Sequence, residues 1–151
     1  MEYDGNMDAP CVPMCDTLNE LPGVETFESC CGHGQRPYSV WLKTTDPYSL
    51  SVLARAVDRR YVCSQQLWSL TLETCEVKGG PMFCVRLSSE NPYTDESDML
   101  SDVAGVISSI RYWAGDGFKA YFGEKEETCG GCINFKGCVT CVGHNQKQTL
   151  G

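Results

Sequence analysis

The spacing of apolar residues switches between helical and alternating periods along the chain. It predicts a helix and two strands, a second helix and two strands, and a last helix. Residues 11–21 carry Cys11, Cys15 and Leu18 on one helical face, with Pro13 in the first turn, where proline is tolerated, and Pro22-Gly23 as the stop. Val24 to Glu28 and Pro37 to Lys43 predict two strands joined by the polar loop 29–36. Asp46-Pro47 reads as the cap and first-turn proline of a second helix, with an expected inner face of Leu50, Leu53, Ala54, Val57 and Tyr61.

In the second half, Trp68, Leu70 and Leu72 alternate with Ser69, Thr71 and Glu73, the pattern of a half-buried strand. Lys78-Gly79-Gly80-Pro81 turns the chain, and Phe83, Val85 and Leu87 continue the sheet. Residues 89–97 read as a polar loop, and Asp98 as the cap of a third helix with the stripe Leu100, Val103, Ile107 and Ile110, ending near Gly115. Phe118 to Phe122 fits either a last strand or a packed tail.

This order predicts an α+β fold in which a small mixed or antiparallel sheet packs against helices. Phe27-Glu28-Ser29-Cys30 and Leu72-Glu73-Thr74-Cys75 match in character, and each precedes a glycine-containing loop and a proline, Pro37 or Pro81, that opens the next strand. The likeness suggests an αββ repeat, which would give a pseudo-symmetric four-stranded sheet with its helices on one face.

A chain of 151 residues accommodates one core and a short appendage. We divide it into an α+β domain over 1–123 and a cysteine-rich tail over 124–151 that opens on an acidic linker. No apolar run is long enough for a bilayer, and the acidic N-terminus lacks the basic start of a secretory signal, so a cytoplasmic location is expected. In a reducing compartment eleven cysteines point to metal or thiol chemistry more than to disulfides. A net charge of −8 disfavours non-specific nucleic-acid binding and leaves only a local patch such as Arg55, Arg59 and Arg60 for it.

Two C-x-x-C pairs close the chain, Cys129 with Cys132 and Cys138 with Cys141. Each such turn aims two thiolates at one point, and together they form the tetrahedral sulfur cage that zinc prefers. Gly130, Gly131 and Gly137 allow the tight bends, and His144 is a substitute ligand. Four sulfur ligands leave no position for water, so this zinc-knuckle-like tail is expected to be structural, or the contact surface of a pure interaction module.

The loop between the first two strands concentrates the remaining chemistry in Ser29, Cys30, Cys31, Gly32, His33, Gly34 and Arg36. Gly32 and Gly34 free backbone N–H groups for an anion, and Arg36 supplies charge, so Ser29, Gly32, His33, Gly34 and Arg36 form a candidate site for a small anionic ligand or a protein partner. If the chain is an enzyme, Ser29, Cys30, His33 and Arg36 are the candidate catalytic set, with Cys30 or Cys31 activated by His33. Cys11 and Cys15, one helical turn apart, either line the core or join Cys30, Cys31 or His33 in a second metal site. Cys63, Cys75, Cys84, Trp41, Trp68 and Trp113 read as packing residues.

The segment Leu21 to Leu42 resembles a motif of small bacterial and phage proteins, Thr-x-x-Ser-Cys-x-Gly-His before a proline-led strand, carried here by Thr26, Ser29, Cys30, Gly32, His33 and Pro37. It is more distantly similar to the Thr-x-Ser-Ser-Cys-Ser-Gly-Arg segment of the TYW3/Taw3 family, the methyltransferases of the tRNA wybutosine pathway. Thr26, Ser29, Cys30 and Gly32 match that segment, while His33 stands for its arginine and Glu28 for a serine. The resemblance implies an α+β fold with this loop at a functional edge, and a phage or prophage source. It does not carry over methyl transfer by itself; the enzyme alternative is a methyltransferase-like or thiol-dependent activity on a nucleotide or modified base, using Ser29, Cys30, His33 and Arg36.

Overall fold

The computed structural model describes residues 6–117 of the chain. A 3-10 turn, Ala9–Cys11, leads into α1, Val12–Asn19, followed by β1, Val24–Cys30, and β2, Pro37–Thr44. Helix α2, Pro47–Ala56, precedes β3, Trp68–Val77, and β4, Gly80–Pro92, and α3, Glu96–Ala114, closes the described fold. The expected order of elements is present. The sheet is antiparallel throughout, in the order β1-β2-β4-β3, so two hairpins meet along a β2–β4 seam.

One face of this sheet carries the core. Tyr38, Val40, Leu42, Val85, Leu87 and Trp68 pack with Met14 and Leu18 of α1, Val52 and Leu53 of α2, and Val103, Val106 and Ile110 of α3 in a single buried cluster. Burying side chains of this kind stabilises by roughly 1.5–3 kcal/mol each, which fixes the strand register because a one-residue slip would turn every one of them outward. The opposite face carries Trp41, Glu73, Arg86, Cys75, Met82 and Cys84, set there by strand alternation and register.

Caps and breakers act as their chemistry requires. The Asp46 side chain accepts from Tyr48 N at 2.9 Å at the start of α2, with Pro47 in the first turn. A bulge between Thr26 and Glu28 shifts the β1 register, and Asn19 takes up the disturbed polar groups by accepting from Thr26 N at 2.9 Å and donating to its Oγ1 at 2.8 Å.

Several expected details change. The inner face of α2 is Ser49, Val52, Leu53 and Ala56, whereas Leu50 and Tyr61 are exposed. In α3 the cap is Asp95, which accepts from Asp98 N, and Met99 and Val106 are buried while Leu100 points outward. Segment 89–97 is no simple loop, because β4 runs to Pro92 with Ser88 and Ser89 buried. Ser89 Oγ accepts from Tyr38 N at 3.0 Å, so a hydroxyl replaces a ladder carbonyl where the β2–β4 register shifts. Leu72 and Phe83 are each 69% exposed, because their end of the β3–β4 hairpin extends past the apolar cover that buries Trp68 and Leu87. The expected Phe118–Phe122 element lies outside the described residues, as does the tail. Among the described residues no helix is long and apolar enough to cross a membrane.

A buried carboxylate ties α3 to the segment before β3. Asp102, 2% exposed, accepts from Gln65 N at 2.8 Å, Gln66 N at 3.1 Å and the Tyr93 hydroxyl at 2.6 Å, and Tyr93 in turn accepts from Trp68 Nε1 at 3.1 Å. Removing the acceptor would strand one buried hydroxyl and two part-buried backbone N–H donors. Asp102→Ala is therefore expected to lower unfolding free energy by about 3 kcal/mol, and Tyr93→Phe by about 1–2 kcal/mol, measured by urea denaturation.

Candidate metal centre

The β1–β2 loop closes in the left-handed sense. Gly32, His33 and Gly34 have φ of 85°, 51° and 76°, and Gln35 N and Arg36 N both donate to Gly32 O, at 2.9 and 3.0 Å. A Cβ at position 32 would lie 1.9 Å from Arg36 O, so only glycine fits there. His33 has no such exemption: a left-handed non-glycine residue costs about 1–2 kcal/mol. The turn holds its ring outward, 62% exposed, beside the N-terminal segment.

The partner it meets there is Asp8, two elements away in sequence and not anticipated from it. Asp8 Oδ2 accepts from Cys31 N at 2.9 Å and lies 3.3 Å from His33 Nε2, while Cys31 Sγ lies 3.7 Å from His33 Nδ1. Asp8, Cys31 and His33 each offer one donor atom such that all lie within 4.8 Å of one another. Ligands around a tetrahedral zinc, at bond lengths near 2.0–2.3 Å, stand roughly 3.3–3.8 Å apart, so donors that lie within 4.8 Å of one another need to close by about 1 Å at most to share an ion. One ion takes only one ring nitrogen, and the exposed imidazole has room to turn so that the same nitrogen faces both neighbours.

Electrostatics support a cation in this place. The Cys31 backbone N–H holds the Asp8 carboxyl below its ordinary range against the opposing effect of burial, and the Cys31 thiol and His33 add to the lowering. Cys31 itself is raised, first by burial and further by the Asp8 carboxylate, although the His33 backbone N–H works the other way. A divalent ion reverses that balance, because thiolate, carboxylate and neutral imidazole around Zn²⁺ sum to zero charge. Gly32 N donates to Cys30 Sγ at 3.3 Å, so adjacent sulfurs each meet a backbone N–H two residues on.

The sequence-predicted residues divide between this cluster and the core. His33 and Cys31 join it, and Cys30 borders it through contact with Asp8. Ser29 turns away toward Cys11 and Cys15. Arg36 is exposed and makes no ion pair among the described residues. Cys11 and Cys15 are fully buried, and burial raises both thiols, Cys11 to about 12. They line the core and lie outside the donor group, whose third member is Asp8. The Cys129, Cys132, Cys138 and Cys141 cage lies outside the described residues.

No protein family, curated protein or solved structure matches this chain in the comparisons made.

The turn geometry generates a graded expectation. Gly32→Ala combines a left-handed backbone with a backbone clash and is expected to lose about 3 kcal/mol of stability, whereas Gly34→Ala, with its nearest neighbour Tyr93 O at 3.8 Å, loses about 1 kcal/mol. His33→Gly should raise the thermal midpoint in metal-free buffer by a few degrees, since it removes the strain. An unchanged midpoint would mean that the strain relieved is no larger than the Asp8 and Cys31 contacts given up with the ring.

Proposed function

We propose that this chain is a metal-binding protein in which Asp8, Cys31 and His33 hold one zinc ion whose fourth position receives a small anionic ligand. The observation that carries this reading is the convergence of three donors of different chemistry on the outside of the left-handed turn. Three protein ligands with a free fourth position is the arrangement by which zinc binds an exogenous oxygen donor. The exposed Arg36, four residues from the turn's first glycine, supplies a charge for an anion in that position. With the tail cage of Cys129, Cys132, Cys138 and Cys141 filled, the full chain holds two zinc ions.

A thiol-dependent enzyme is the weaker reading. A nucleophilic cysteine needs a lowered pKa, and the surroundings of Cys31 raise it. The 3.7 Å contact between Cys31 Sγ and His33 Nδ1 is therefore better explained by shared ligation than by general-base activation. Nothing in the geometry adds support for methyl transfer.

Elemental analysis of the untagged full chain is expected to give two zinc ions per chain, falling to one in His33→Ala and in Cys31→Ser. A Cys129→Ser, Cys132→Ser variant should also fall to one while keeping the loop ion. Cobalt substitution of that tail variant should give tetrahedral visible bands that shift on adding inorganic phosphate, and Arg36→Ala should weaken the phosphate response roughly tenfold. Two zinc ions retained in His33→Ala would remove the loop site. Cobalt bands insensitive to phosphate would leave a metal site without the open position.

A further inference from the structure

The sheet face opposite the core brings together three sulfur-bearing residues that take no part in the loop cluster. Cys75 on β3 pairs directly with Met82 on β4, and Glu73 pairs with Cys84, so strand alternation puts Cys75, Met82 and Cys84 on one side of the β3–β4 hairpin as a contiguous patch. The hairpin register is fixed by the turn through Lys78 and Gly79, where Gly79 and Gly80 have φ of 110° and 116°. Both cysteines are free thiols. Cys84 is 2% exposed yet stands outside the hydrophobic core cluster, and its nearest polar neighbours are Cys75, Glu73 and Glu28. Met82 is 36% exposed and forms the open side of the patch.

We propose that Cys75, Cys84 and Met82 form a second, independent metal site for a soft monovalent cation, copper(I), bound by two thiolates and a thioether. The donor set selects the ion. Thiolate and thioether sulfur favour Cu(I), which accepts two or three ligands, whereas zinc requires four and has little affinity for a thioether. The nearest hard donor is already engaged: Glu73 Oε1 lies 2.9 Å from Arg86 Nε, and Glu73 Oε2 accepts from Trp41 Nε1 at 3.0 Å. That leaves the three sulfurs as the uncommitted donors of the hairpin, with Glu28 on the neighbouring β1 the remaining carboxylate near Cys84. Binding replaces two thiol protons with one Cu⁺, leaving a complex of charge −1 beside Arg86 and releasing two protons to solvent, with no change of oxidation state.

Burial and the neighbouring Cys75, Glu73 and Glu28 push the Cys84 thiol up to about 11, so Cys84 itself is protonated at neutral pH while the site is empty. The exposed Cys63, in the segment before β3 and outside the sheet, provides an internal control.

The test is peptide-resolved alkylation of the zinc-loaded full chain with iodoacetamide, under anaerobic conditions and with a phosphine reductant so that a disulfide is not the source of protection. One equivalent of Cu(I), delivered as a bicinchoninate complex, is expected to slow Cys75 modification at least tenfold while Cys63 reacts unchanged. Cys84→Ser should abolish the protection of Cys75, and Met82→Leu, which alters a surface side chain and leaves the fold intact, should require about tenfold more free Cu(I) for the same protection. Equal Cys75 alkylation with and without Cu(I) would overturn the site, and so would protection that survives both Cys84→Ser and Met82→Leu. Neither outcome depends on whether zinc occupies the loop.

Discussion

Burial of Tyr38 determines where the N-terminal segment can lie. The ring is fully buried, 5.3 Å from that of Trp68, and its hydroxyl donates to Pro10 O at 3.1 Å. Its backbone N–H is held by Ser89 Oγ on the neighbouring strand. One residue therefore joins β2, β4 and the 3-10 turn that precedes α1. With Pro10 pinned to the sheet, Asp8 emerges beside the end of β1, where the Cys31 N–H meets its carboxylate. Without that anchor the loop would still carry a thiol and an imidazole, but the third donor would be absent.

Much of the architecture was legible in the pattern of residues. Pro13, Asp46-Pro47 and the glycines after Lys78 mark boundaries by local chemistry, and the structure has them where that chemistry puts them. Cys11, Cys15 and Leu18 share one buried face, as their spacing requires. The misread positions have a common cause. Leu50 and Leu100 are apolar but sit just beyond the arc their helices bury, and Ser88 and Ser89 are polar but hydrogen-bonded inside the sheet. Hydrophobicity alone reports neither tertiary cover nor satisfied hydroxyls.

The candidate site was half legible. Cys31 and His33 stand two residues apart, so any turn brings them close, and their chemistry drew attention to the loop. Asp8 is 23 residues from Cys31, and nothing in its own neighbourhood distinguishes it from other acidic residues near the N-terminus. Its role depends on a long-range contact through Tyr38 and Pro10. The same limit concealed the pairing of Cys75 with Met82, which exists only once the hairpin register is known. The sheet thereby separates two kinds of sulfur environment, one mixed with oxygen and nitrogen donors at a loop, the other built on sulfur donors on a strand surface.

The positive φ of His33 bears on how this position would drift over generations. Random replacement toward glycine or asparagine would relax the backbone and be welcomed by the fold. Histidine at that place is thus a choice against the direction in which stability alone would carry the sequence. The turn works as a filter with two criteria, backbone tolerance and ligand chemistry, that no single residue type satisfies best.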